Sequence, residues 1–196
     1  MSGDDNFELP LFPLETVLFP GGRLTLRIFE PRYLDMISRC LREDSAFGVC
    51  LIRDGGESGA ATTAPVGTLA RIVDWHPGGD GILGVVAVGG ERFTIDESWQ
   101  LKDGLNAARV TSIAADEPTP LPAEWRPHAL ILRRILNALE TPNDEADFDE
   151  AGWVGCRFAE ALPLPLAQKQ VLLEMTNPLE RLRMLRPLVE SARRKR

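Results

Sequence analysis

The strongest constraint on this chain is where its glycines and prolines fall. In the first half they cut the sequence into short runs rich in branched and aromatic side chains: Leu9–Phe12, Leu24–Phe29, Phe47–Arg53, Gly67–Trp75, Ile82–Val88, Arg92–Ile95 and Ala107–Ile113. Runs of this length between turn residues predict strands. Pro20-Gly21-Gly22 and Pro77-Gly78-Gly79-Asp80-Gly81 are the clearest turns, because proline presets φ and glycine supplies positive φ. Many short strands joined by such turns predict an antiparallel sheet closed or half-closed into a barrel, which protects its edges. Phe12, Phe29, Phe47 and Phe93 are expected in its core.

One helix interrupts the strands. Pro31 suits a first helical position, and Tyr33, Leu34, Ile37, Cys40 and Leu41 recur at helical spacing. The stripe is expected to pack on the barrel. Residues 116–127 then hold Pro118, Pro120, Pro122 and Pro127, a stiff connection that places a boundary between a β subdomain, 1–116, and a helical subdomain, 117–196. Beyond it, Leu130, Ile131, Ile135, Leu136 and Leu139 form an apolar stripe. A second helix is expected over about Glu150–Leu162, capped near Asp147 or Asp149, and a third over Leu166–Met175. Asn177-Pro178-Leu179-Glu180 has the order cap, N1 proline and acidic N3 that starts a helix, and Pro187 is expected to kink or end it. The fold class is therefore α+β.

Composition removes several function classes. Of 196 residues, 22 are Lys or Arg and 29 Asp or Glu, a formal charge of −7 that disfavours a general nucleic-acid binder. The acidic segment 140–150 is expected to be a solvated loop and the basic tail Arg193–Arg196 a solvated terminus. Cys40, Cys50 and Cys156 follow no zinc spacing and are expected to be buried, reduced thiols. The acidic N-terminus does not resemble a signal peptide, and no apolar run approaches the ~20 residues of a membrane span, so a cytoplasmic protein is expected.

Sequence patterns that carry chemistry are mostly absent. No Gly-Lys dipeptide occurs, which excludes a Walker-type phosphate loop. Gly55-Gly56-Glu57-Ser58-Gly59 misses the nucleophile-elbow spacing and is expected to be a hairpin loop. Ser98 and Lys102 sit in a stretch expected to be loop, with no oxyanion donor beside them. His76 and His128 belong to no metal-ligand pattern. No catalytic, metal-binding or cofactor-binding residue is assigned and no cofactor is expected. The candidate interaction surface is Trp75, His76 and Trp99, large rings beside turns where part of the ring stays exposed.

The order of motifs resembles the LON domain, the substrate-binding N-terminal domain of the Lon protease family. Leu9-Pro10-Leu11-Phe12-Pro13-Leu14, then Val17-Leu18-Phe19-Pro20-Gly21, looks like its opening strand and turn. The run Leu24-Thr25-Leu26-Arg27-Ile28-Phe29-Glu30-Pro31-Arg32-Tyr33 carries most of the resemblance. Val66-Gly67-Thr68-Leu69-Ala70, Gly90-Glu91-Arg92-Phe93-Thr94-Ile95 and Leu179-Glu180-Arg181-Leu182 extend it. The resemblance implies a PUA-like β-barrel followed by a C-terminal helical bundle. It also implies a stand-alone LON-domain protein that recognises unfolded polypeptide segments or a partner protein, without the ATPase and peptidase parts. The alternative is a PUA-like RNA- or small-ligand-binding domain, which the acidic charge disfavours. For Glu30, Pro31, Arg32, Tyr33 and Arg92 a structural role is expected in preference to ligand contact.

Overall fold

The computed structural model describes residues 6–56, 62–78, 81–138 and 147–194, with side chains as far as Ser191. The segments 57–61 and 139–146 lie outside the described residues, and with them the loop around Ser58, Leu139 and most of the acidic segment. The tail's side chains lie outside them as well. The chain forms two compact units, Met1–Ala114 and Ala115–Arg196.

Among the described residues the first unit contains seven strands and one helix: β1 (Asn6–Leu14), β2 (Arg23–Ile28), α1 (Pro31–Glu43), β3 (Phe47–Asp54), β4 (Thr62–Thr63), β5 (Val66–Pro77), β6 (Leu83–Gln100) and β7 (Asn106–Ile113). Most pairings are antiparallel, as expected, and the circuit β1–β7–β6–β5–β3 returns to β1. The pairing that returns it, β1 with β3, is parallel, which departs from the antiparallel expectation. Parallel neighbours need a long crossover, and the chain supplies one through β2 and α1.

β6 also departs from expectation. Its sequence suggests two strands parted by Gly89 and Gly90, but it runs unbroken for 18 residues. One edge pairs with β5 from Leu83 to Thr94. The other edge pairs with β2 as far as Val88 and with β7 from Arg92 onward. The two glycines mark this exchange of neighbours. A Cβ on Gly89 would collide with the Phe19 carbonyl oxygen, so the missing side chain is what lets the preceding turn approach. That turn is held by Gly21 N–H donating to the Gly89 carbonyl and Gly89 N–H to that of Gly22.

α1 begins at Pro31 as its sequence predicts, and buries Tyr33, Met36, Ile37 and Cys40. Leu41, assigned to the same stripe, is exposed, and Met36 takes the inward position. These residues join Phe12, Leu14, Phe47, Val85 and Ala87 in one core, with the Phe12 and Tyr33 rings stacked at 3.9 Å. Alternate residues of β1, Leu9 and Leu11, enter a second cluster around Phe93, Cys50 and Val110. Phe29 is not in either core. It is 67% exposed, because the alternation that turns Leu26 and Ile28 inward turns position 29 out.

The second unit holds a 3-10 turn (Ala123–Trp125), α2 (Arg126–Ala138), α3 (Ala151–Ala161), α4 (Leu166–Glu174) and α5 (Pro178–Arg194). α3 packs against α2, α4 and α5, and it is buried almost all round. Glu150, rather than Asp147 or Asp149, caps it by accepting from the Gly152 and Trp153 amides. Asn177 caps α5 as predicted, accepting from Leu179 and Glu180. Pro187 does not end α5, which continues to Arg194. In α2 the buried stripe is Ala129, Leu132 and Leu136, while Leu130 points outward. Arg181 is 1% exposed; it donates to the carbonyls of Leu172 and Met175 and pairs with Asp116 at 2.6 Å.

Candidate functional site: an apolar groove at the β1–α1 seam

β1 and β3 pair only over Leu11–Leu14 and Gly48–Leu51. Before that point the two strands have no shared ladder, and the space beside the first half of β1 opens as a groove of about 480 Å³. Phe7, Glu8, Leu9 and Pro10 of β1 form one wall. Met36, Arg39, Cys40 and Glu43 of α1, with Ser45 and Ala46 after it, form the other. Leu69, Trp99, Leu101 and Ala107 complete the lining. Most of the surface is apolar, and the charged groups are Glu8, Arg39 and Glu43.

Local sequence explains why the walls stand where they do. α1 ends at Asp44 in the left-handed conformation (φ 47°), which turns the chain back into β3. At its start, Arg32 pairs with Glu30 at 2.9 Å, lies over the Tyr33 ring and donates to the Gly104 carbonyl at 2.7 Å. Gly104 has φ 84° and belongs to the β6–β7 turn, which Leu101 N–H closes by donating to the Leu105 carbonyl. Arg32 therefore ties the helix to the turn that carries Leu101, next to Trp99. This is the structural role expected for that residue. Arg92 is likewise buried and reaches the Ala114 carbonyl.

The three predicted surface residues do not come together. Trp99 pairs with Ala107 at one end of β6 and lines the groove, half-buried. Trp75 and His76 pair with Val85 and Gly84 at the other end of β6, and both are exposed. The His76 imidazole covers Gly84, filling the space where a Cβ would stand. Sequence reasoning missed Phe7, Glu8, Pro10, Arg39 and Leu101. For the β1 edge the one local signal was Pro10 inside an apolar strand, a position proline takes where its nitrogen faces no pairing strand; nothing local marks Arg39 or Leu101.

The groove's lining carries no histidine and no aspartate. Its one thiol, Cys40, is buried, and desolvation raises its pKa. Cys50 and Cys156 are also buried and unpaired, with pKa values pushed by burial to about 12 and about 11. Ser98 lies in β6, not in a loop, and is exposed, as is Lys102 in the turn beyond. Among the described residues no His, Cys, Asp and Glu cluster could hold a metal ion, and no helix is long and apolar enough to cross a membrane.

The first unit is thus a strand circuit with a helix laid against it and an apolar seam. Comparison with known proteins assigns the chain: the family model for the ATP-dependent protease La (LON) substrate-binding domain matches residues 8–191, and this chain belongs to that family. Lon protease 2 of Myxococcus xanthus is 27% identical over 197 residues, covering 94% of this chain and 24% of the relative's length. The chain thus spans about a quarter of such curated relatives. Protein cereblon of Xenopus tropicalis is 29% identical over 119 residues, 59% of this chain. Among solved structures, a Lon N-terminal domain protein from Xanthomonas campestris superposes with a TM-score of 0.77 at 40% identity, covering 91% of this chain and 96% of that one. The N-terminal domain of Mycobacterium avium complex Lon protease shares the fold, with a TM-score of 0.65 at 17% identity and coverage of 94% and 98%.

Proposed function

We propose that this chain is a non-catalytic polypeptide-binding module whose β1–α1 groove receives apolar side chains of unfolded segments or of a partner protein. The observation that carries this reading is the groove itself: an open seam of about 480 Å³, mostly apolar, walled by Phe7, Leu101 and Trp99. Grooves of this size and character take a few side chains of an extended chain, with aromatic walls supplying area at low entropic cost. Membership of the Lon substrate-binding family supports the same direction. The circuit of strands supports a PUA-like barrel, and the helices of the second unit a C-terminal bundle. Three buried, unpaired cysteines suit a reducing compartment such as the cytoplasm.

Of the residues predicted as an interaction surface, we assign Trp99 to the groove. Trp75 and His76 form a separate exposed end, and their replacement leaves groove binding unchanged. Fluorescence anisotropy with a labelled, permanently unfolded protein chain and with a labelled single-stranded RNA tests the proposal. Saturable binding of the unfolded chain is expected. Saturable RNA binding with no affinity for unfolded chains overturns it.

A further inference from the structure

A module that accepts chains of varied sequence needs contacts to the backbone, the part all sequences share. β1 offers them. One edge of β1 pairs with β7 over Asn6–Leu11; β3 joins the other edge only from Leu11. Among the described residues no strand pairs with that second edge over Asn6–Pro10. The two prolines fix which backbone groups face it. Pro13 lies where β7 pairing has ended and β3 pairing continues, so its nitrogen, which has no hydrogen, faces away from β3. Alternation then turns the even-numbered residues toward the β3 side, and Pro10 agrees, with its nitrogen on the bare edge. Asn6 and Glu8 therefore present an N–H and a C=O each to the open side, and Pro10 a C=O alone.

Glu8 and Pro10 also line the groove, so the bare edge and the apolar seam are one surface. Regularly spaced, unpaired strand groups are satisfied by another extended chain, not by a helix or a compact ligand. The groove's charged groups are two carboxylates, Glu8 and Glu43, against the single guanidinium of Arg39, on a chain of net charge −7. An occupant that is basic between its apolar positions is complementary to it.

We propose that the groove takes an extended polypeptide segment by strand addition to the Asn6–Pro10 edge of β1. The segment places apolar side chains into the seam at alternate positions, with Lys or Arg favoured over Asp or Glu between them. This rests on the polypeptide-binding function above and adds the mode of recognition. The test uses a fluorescein-labelled peptide of about ten residues with Val and Lys alternating, a length that matches one added strand. Two relatives of it are N-methylated at every second residue, in one parity or the other. A strand donates to its neighbour from alternate residues only. One methylated peptide therefore loses about tenfold or more in affinity, equivalent to ~1.4 kcal/mol, and the other stays close to the parent. Glu8→Pro, which removes one of the two open-edge donors without touching the β7 ladder, is expected to lose a similar factor, and a Val/Glu peptide to bind more weakly than Val/Lys.

If the parent peptide binds and both methylated forms match it, strand addition is wrong while polypeptide binding stands. If neither the peptide nor an unfolded protein chain binds, the polypeptide-binding function itself is wrong. Equal binding of Val/Glu and Val/Lys peptides overturns the charge preference. The methylated pair needs no variant protein, so a Glu8→Pro chain that fails to fold leaves the proposal fully testable.

Discussion

Arg181 shows how much of this molecule depends on single buried side chains. Its guanidinium is shut away from water yet has partners on several sides: Asp116 and the carbonyls of Leu172 and Met175. Removing one member of a buried pair leaves the other charge desolvated and alone. Arg181→Met, which keeps most of the stem volume, is expected to destabilise the protein by about 3–5 kcal/mol in urea denaturation, well beyond an ordinary surface change. Cys50 gives a prediction in pH. Burial raises its pKa from 9.0 to about 12. The folded state therefore holds the thiol proton more tightly than the unfolded state, and stability falls as pH rises above about 9 toward 12. Replacing Cys50 with Ala should shrink that alkaline slope, and an unchanged slope would show that the thiol plays no part. At this scale the sequence was readable where a residue's own chemistry decides the outcome, as with Asn177 capping α5 or Pro31 opening α1. It was less readable where neighbours decide. Phe29 is as apolar as Phe12, and only its place one residue past the inward Ile28 puts it outside.

Among the elements, α1 carries both the core and a groove wall, so its ends matter most. Asp44 holds a left-handed conformation that glycine adopts without steric penalty. Its ion pair with Arg71 is fully at the surface, where such contacts contribute little. Asp44→Gly is therefore expected to raise stability by about 0.5–1 kcal/mol in thermal denaturation without altering groove binding. A loss of stability would mean that the Arg71 contact outweighs the backbone term. β6 teaches the converse lesson about legibility. Gly89 and Gly90 look like a break between two strands, yet the strand continues because each half finds a different neighbour on the same edge, β2 and then β7. α5 behaves likewise, passing through Pro187 while it buries Leu182, Leu185 and Val189. Packing along the whole element outweighs a single breaking residue in both cases.

For the whole molecule, the pattern of turns and apolar runs was enough to separate a β half from a helical half and to suggest the family. The groove was not legible in the same way. It arises because β1 exchanges partners partway along its length, which depends on long-range register rather than on any local motif. Trp99 is legible as an aromatic beside a turn, but sequence alone places it with Trp75 and His76, and the length of β6 separates them. That separation makes the central claim testable in one titration. Labelled unfolded chain is titrated with the unaltered protein, with Trp99→Ala and with Trp75→Ala, and anisotropy is followed. Aromatic anchors in desolvated pockets are worth about 2 kcal/mol, so Trp99→Ala should weaken binding by roughly tenfold or more while Trp75→Ala binds as the unaltered protein does. Undiminished binding by Trp99→Ala, with the loss falling on Trp75→Ala instead, would contradict the assignment of the groove as the polypeptide site.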